Sequence, residues 1–126
     1  MRAVDTNVLV RLITRDDLRQ LASAEAFVAK GAWVSILVLA ETAWVLGAVY
    51  ELEHYELATV IEMLLAHEHL SLQDSDVVAA ALENYRATPS LGFTDCLVVE
   101  LARKAGHLPL GTFDKRLAKL HGVERL

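Results

Sequence analysis

Short extended runs alternate with longer helical segments along the whole of this sequence. The runs at residues 2–5, 32–35, 69–73 and 107–112 have the length and the β-branched or alternating character of strands. Each is followed by segments with apolar residues at helical spacing, which indicates an α/β fold with a central parallel sheet and helices on both faces. At 126 residues the chain is expected to form one domain, residues 1–126.

The helix boundaries follow from caps and breakers. One helix is predicted after Asp16 and Asp17, which suit its N-terminal dipole end, and Gly31 is expected to close it. A closing strand at the C-terminus, VERL, is compatible with the sequence. The remaining helices are predicted at residues 6–13, 36–50, 55–67, 76–87 (capped by Asp74 or Ser75), 93–104 and 114–120.

Four carboxylates stand in apolar surroundings: Asp5 in RAVDTNVLV, Glu41 in SILVLAETAWVLG, Asp95 in LGFTDCLV and Asp114 in LPLGTFDKRL. Taken singly, each aspartate has a structural explanation as a helix cap. Glu41 is harder to explain in this way, because it lies inside an apolar helix with no basic residue within four positions. We expect it to be buried, and a buried carboxylate needs a proton, a partner or a metal ion.

A parallel sheet allows these acids to meet at one edge, but they could equally be scattered, because spacing alone does not fix the strand order. Asp5 and Asp114 follow the first and the last clear strand, and ligands of parallel sheets bind beyond the carboxyl ends of strands. Carboxylates in close proximity stay ionised only with a positive charge among them. Oxygen ligands select Mg²⁺ or Mn²⁺ over zinc, so metal-assisted hydrolysis of a phosphodiester is the leading chemistry.

Net charge and mean hydropathy indicate which kinds of partner the chain could bind. A net charge of -5 argues against a nucleic-acid binder, but much of the acidic excess lies in the four embedded carboxylates, which a divalent cation would offset. The mean hydropathy of +0.33 suggests that a partner or a second copy covers part of the surface.

Localisation is predicted from three features. The N-terminus MRAVDTN lacks the pattern of a signal peptide, and the lone Cys96, read as a small core residue, fits a reducing cytoplasm. Residues 31–50 are long enough to span a bilayer, but Glu41 would lie mid-span at a cost of about 2.5 to 3.5 kcal/mol. We therefore expect residues 31–50 to form a strand followed by a helix. We expect no association with a membrane.

The motifs DTNVLVRL, SILVLAET, GFTDCLVVELA and TFDKRLAKL together resemble those of PIN-domain ribonucleases, and most of all the toxins of bacterial VapBC toxin–antitoxin pairs. The resemblance covers essentially the whole chain, in the right order. It implies a Rossmann-like α/β/α sandwich and Mg²⁺- or Mn²⁺-dependent cleavage of single-stranded or loop regions of RNA. It also implies a homodimer and inhibition by a VapB-type antitoxin, which we expect to dock on the helices at 36–50 and 55–67.

Carried onto this sequence, the resemblance assigns catalysis and metal binding to the acids Asp5, Glu41, Asp95 and Asp114. Many relatives have another acid three positions before the third carboxylate, where this chain has Gly92. Small polar residues beside the acids are candidates to orient them or the metal's water, although each also suits a turn or a cap: Asn7, Ser35 and Thr112. Candidates to hold the phosphate backbone, although each also suits a solvated surface charge, are Arg11, Lys115 and Arg116.

Three other classes of protein are alternatives. An aspartate-nucleophile phosphatase needs a second acid two residues after the first, where this chain has Asn7. A signalling receiver domain needs paired acids near the N-terminus and a lysine followed by proline past the last strands, which are absent. A catalytically silent PIN-fold module that acts only through protein partners is the main alternative, and acids at all four motif positions argue against it.

Overall fold

The computed structural model describes residues 1–126 of the chain. They form two compact units, Met1–Ser75 and Asp76–Leu126. Each unit contains its own sheet and its own buried apolar residues, and each is described here by itself. The assignment of residues 1–126 to one domain stays a prediction.

The first unit is built on a parallel sheet with the strand order β1-β2-β3. Ala3 of β1 lies opposite Trp33 of β2, and Val34 of β2 lies opposite Leu72 of β3, so the three carboxyl ends share one edge. The elements are β1 (Arg2–Ala3), α1 (Thr6–Thr14), α2 (Leu18–Val28), β2 (Ala32–Val34), α3 (Ile36–Ala48), α4 (His54–Ala66) and β3 (Leu70–Leu72). The largest fully buried side chains of the unit are Leu9, Leu39, Leu46 and Ile61.

Side-chain caps fix where three helices of this unit begin. The carboxylate of Asp5 accepts the backbone N–H of Val8 at 3.2 Å, and that of Asp17 accepts the N–H of Gln20 at 3.0 Å. The hydroxyl of Ser35 starts α3 in the same way. Such caps satisfy donors that have no partner within the helix, and each typically contributes on the order of 1 kcal/mol.

The second unit has two parallel strands and two long helices. Its elements are α5 (Ser75–Ala87, the first residue belonging to the first unit), α6 (Phe93–Ala105), β4 (Leu110–Thr112), a 3₁₀ turn (Leu117–Lys119) and β5 (Val123–Arg125). Thr112 lies opposite Arg125. The ring of Tyr85 meets that of Phe93 edge-on at 5.8 Å, and Cys96 is fully buried beside them in the core. Gly106, in the left-handed region with φ 82°, ends α6.

One charged side chain is buried in this unit. Glu100 of α6 is only 8% exposed, and its Oε1 accepts the side-chain amide of Asn84 at 2.9 Å. The guanidinium of Arg103 lies 3.3 Å from Oε2 and donates to the carbonyl of His121 at 2.6 Å. Arg103 therefore ties α6 and the buried carboxylate to the segment that leads into β5.

The α/β class predicted from the sequence is confirmed, with six helices and parallel strands. The helix predicted over residues 114–120 is wrong, because only the 3₁₀ turn Leu117–Lys119 forms there. The carboxylate of Asp114 accepts the N–H of Arg116 and of Leu117, which holds the first residues in a turn. Too few residues then remain before Gly122 for an α-helix to be stable.

The apolar segment 31–50 folds as β2 and α3, as its composition indicated. None of the helices is both long enough and apolar enough to cross a bilayer.

Candidate active site

Polar side chains follow each strand at the carboxyl edge of the three-stranded sheet. Asp5 comes two residues after β1, Ser35 directly after β2 and Gln73 directly after β3. The side-chain oxygen of Gln73 accepts the N–H of Ile36 at 2.9 Å, so this residue helps Ser35 to cap α3. Sequence reasoning missed Gln73, although a polar residue directly after a strand was the signal that could have identified it.

Asp5 is exposed at this edge and already has a structural function. Its Oδ1 accepts the N–H of Val8, and Oδ2 takes no part in that cap. Asn7 is exposed in the first turn of α1, so it lies on the same helix end as the carboxylate. One carboxylate can thus cap α1 through one oxygen and present the other to a ligand.

Glu41 is exposed, and the expectation that it is buried is wrong. It lies on the same face of α3 as Leu37 and Trp44, which precede and follow it at helical spacing. These two apolar side chains are themselves 76% and 65% exposed, so apolar neighbours in the sequence do not enclose the carboxylate. Glu41 forms no ion pair or side-chain hydrogen bond, and its carboxylate is available to a ligand.

Arg11 lies in a groove between α1 and α2. The groove has a volume of about 500 Å³, and its polar lining includes Asn7, Arg19 and Gln20. The guanidinium of Arg11 donates to Gln20 at 2.6 Å and to Tyr50 at 3.2 Å, and it pairs with Asp16 at 3.1 Å.

These contacts keep the groove charged and ordered. The hydrogen bond to Tyr50 raises the pKa of Arg11, and the hydroxyl of Thr14 lowers the pKa of Asp16. Both partners are therefore ionised at neutral pH. The guanidinium is held in one place, and its contact with a phosphate backbone stays a prediction.

In the second unit, Asp114 follows β4 and is fixed by its neighbours. Its Oδ1 accepts the N–H of Arg116 at 2.8 Å and of Leu117 at 3.4 Å, and these bonds lower the pKa of its carboxyl group. Thr112 accepts the backbone N–H of Asp114 at 2.9 Å through its hydroxyl. Asp114 is thus ionised at neutral pH, and Thr112 holds its backbone.

Asp95 is the third residue of α6, where the partial positive charge of the helix end favours a carboxylate. It is partly buried and forms no ion pair or side-chain hydrogen bond. A side chain added at Gly92 would be in van der Waals contact with Oδ2 of Asp95, at 3.7 Å. Burial, and to a lesser degree the charge of Asp95, raises the pKa of the Cys96 thiol to about 11, which fits a core residue and not a nucleophile.

The acids named by the sequence are divided equally between the units, with Asp5 and Glu41 in the first and Asp95 and Asp114 in the second. Within either unit, His, Cys, Asp and Glu side chains form no group of three or more that could hold a metal ion. All four acids offer oxygen donors, and Glu41 and Asp95 have no competing partner. This donor chemistry fits Mg²⁺ or Mn²⁺.

The order of the elements defines an α/β protein in which acids follow strands or start helices. The model of the PIN domain family matches residues 2–123, so the chain belongs to the PIN domain family. PIN domains are generally nucleases, which gives the chain a nuclease-type function. Comparison with curated proteins and with solved structures gives no match.

Proposed function

We propose that the protein is a Mg²⁺- or Mn²⁺-dependent endoribonuclease that hydrolyses phosphodiester bonds in RNA. The PIN-family match across residues 2–123 carries this proposal. Support comes from the four acids at the family's motif positions, Asp5, Glu41, Asp95 and Asp114, each of which retains at least one oxygen outside the hydrogen bonds of the fold.

By family resemblance, the acids at the motif positions are the candidates to hold the ion. A bound Mg²⁺ or Mn²⁺ would supply Lewis-acid activation of the phosphodiester and of the attacking water. Glu41 and Asp95 are free to orient that water or to accept its proton, since neither is engaged by another side chain. Asp114, ionised at neutral pH and held by Thr112, contributes fixed negative charge.

Basic side chains would position the RNA. Lys115 and Arg116 are exposed directly after Asp114, and Arg11 is held in the groove beside Asn7. Their charges oppose the repulsion between phosphates and an acidic protein. Ser35 would support the site by fixing the start of α3, six residues before Glu41. By family resemblance, the products carry a 5′-phosphate and a 3′-hydroxyl.

We further propose that the chain is a VapBC-type toxin, neutralised by a VapB-type antitoxin and active in the cytoplasm as a homodimer. Large apolar side chains exposed on two helices support a protein partner. On α3, Leu37 is 76% and Trp44 is 65% exposed, and on α4, Tyr55 is 69% and Met63 is 63% exposed. Exposed apolar patches of this kind are typical of interaction surfaces.

The purified chain is expected to cleave structured RNA with Mg²⁺ or Mn²⁺ and to stop when EDTA is added. Gel analysis of end-labelled RNA measures the cleavage, and sequencing of the RNA ends identifies the cut positions. Absence of cleavage with either ion would contradict the ribonuclease proposal and favour the silent binding module.

The toxin proposal has a separate test in cells. Expression of the chain without its antitoxin is expected to stop bacterial growth, because unrestrained RNA cleavage stops protein synthesis. The Asp95→Ala variant, expressed at the same level, is expected to permit growth. Equal growth of both cultures, with cleavage retained in vitro, would remove the toxin role and leave the nuclease function.

A further inference from the structure

Phe113 is exposed to an unusual degree. Its side chain is 82% exposed, more than any other large apolar side chain except Met1 at the chain terminus. An aromatic ring gains free energy when it leaves water, so a ring kept in water at an internal position is a candidate for contact with a ligand.

The backbone on both sides of Phe113 is fixed. Thr112 ends β4 and accepts the N–H of Asp114 at 2.9 Å, which closes a tight hydrogen-bonded turn around the phenylalanine. Asp114 in turn accepts the N–H of Arg116 at 2.8 Å. The ring therefore projects from an ordered turn and not from a flexible loop, which reduces the entropy lost when a ligand binds.

The neighbours of Phe113 have the character of a single-stranded nucleic-acid site. Asp114, one of the proposed metal-binding acids, is the next residue, and consecutive Cα atoms lie only about 3.8 Å apart. Lys115 and Arg116 follow, both exposed, and supply positive charge for a phosphate backbone. Proteins that bind unpaired RNA combine these features, with aromatic rings that stack on bases and cations that follow the backbone.

We infer that Phe113 binds the RNA substrate by stacking on an unpaired base next to the cleaved phosphate. This inference rests on the proposed ribonuclease function and adds the side chain that would bind the base beside the cleaved phosphate. Stacking requires a flat π face, so Trp at this position should replace Phe, whereas Leu, which is apolar but not planar, should not.

The test compares Phe113→Ala, Phe113→Leu and Phe113→Trp with the wild-type chain. Fluorescence anisotropy measures the Kd for a 5′-fluorescein oligoadenylate of about twelve nucleotides, within the site sizes of such proteins. EDTA keeps the oligonucleotide intact, and kcat/KM is measured separately with Mn²⁺. Leu18→Ala is the matched control, because Leu18 is 77% exposed, is distant in sequence from Phe113 and is none of the proposed RNA-binding residues.

The Ala and Leu variants are expected to bind roughly 5- to 150-fold more weakly, with an unchanged circular-dichroism spectrum, whereas the Trp variant and Leu18→Ala bind like wild type. Wild-type binding and cleavage by all Phe113 variants would overturn the inference alone. If Phe113→Ala changed the oligomeric state but left the Kd for the oligonucleotide unchanged, the ring would contact a second copy of the chain. That result would also overturn the inference. A wild-type chain that neither binds nor cuts RNA would overturn the proposed function together with this inference.

Discussion

Replacement of Asp95 by Ala is expected to reduce RNA cleavage at least about 100-fold while leaving the free energy of unfolding nearly unchanged. The carboxylate has no hydrogen bond or ion pair to lose, so its removal affects a ligand more than the fold. Asp5→Ala is expected to lose as much activity and also on the order of 1 kcal/mol of stability, because Asp5 caps α1. Asp5→Asn should retain the cap and still lose cleavage.

Asp17→Ala is the matched control for these variants. Asp17 caps α2 at 3.0 Å just as Asp5 caps α1 at 3.2 Å, but it belongs to none of the proposed catalytic motifs. We expect a similar loss of stability with cleavage retained. Kinetics on one RNA substrate and urea unfolding separate the two effects. If Asp17→Ala lost as much activity as Asp5→Ala, the loss would come from the helix start and not from a missing ligand.

Thermal unfolding with added Mn²⁺ gives a readout of the same site that does not depend on activity. An ion that binds only the folded protein raises its Tm by an amount that grows with the logarithm of the ratio of ion concentration to Kd. Asp95→Asn should leave the Tm of the metal-free protein nearly unchanged, because the carboxylate has no hydrogen bond or ion pair to lose, and it should abolish the Mn²⁺ shift. A Mn²⁺ shift as large as that of wild type would exclude Asp95 as a ligand.

Arg103→Ala is expected to have the largest effect on stability, about 2 to 3 kcal/mol. The substitution leaves the buried carboxylate of Glu100 with the amide of Asn84 as its remaining partner. It also removes the 2.6 Å hydrogen bond to the carbonyl of His121. The cost arises because a buried charge loses its counter-ion, not because an exposed contact is lost.

Urea unfolding of three variants tests this explanation. Glu100→Gln in the Arg103→Ala background should recover part of the loss, since a neutral amide costs less to bury than a carboxylate. Lys119→Ala is the control, because it removes an exposed basic side chain from the same unit. It should change the free energy of unfolding by less than about 0.5 kcal/mol. A loss below that value for Arg103→Ala would mean that water solvates Glu100 adequately.

Much of the fold could be predicted from the sequence because its local signals agree. Asp17 and Ser35 cap helices, and Gly106 ends one, where side-chain chemistry indicated. The segment after Asp114 could not be predicted in the same way. Its composition favours a helix, but the side chain of Asp114 competes for the first N–H groups, and the outcome depends on geometry that composition does not encode.

The burial of Glu41 is a second property that could not be predicted from the sequence. Helix α3 carries apolar residues on every face, so its periodicity does not reveal which face the sheet covers. Leu39 and Leu46 are fully buried, whereas Leu37 and Trp44 are exposed beside Glu41. The expectation that Glu41 is buried is therefore wrong, because the apolar neighbours with which it shares a face lie in water.

Asp5 and Asp114 combine a structural role with a proposed catalytic role, and this combination restricts which substitutions evolution can accept at the two positions. Each acid holds a turn or a helix start through Oδ1, so a lineage that no longer needed catalysis would still be selected to keep a side chain that accepts those bonds. Asn or Ser would meet that demand, and Ala would not. Relatives that have lost catalysis should therefore carry Asn or Ser in place of Asp at these two positions and keep the same fold.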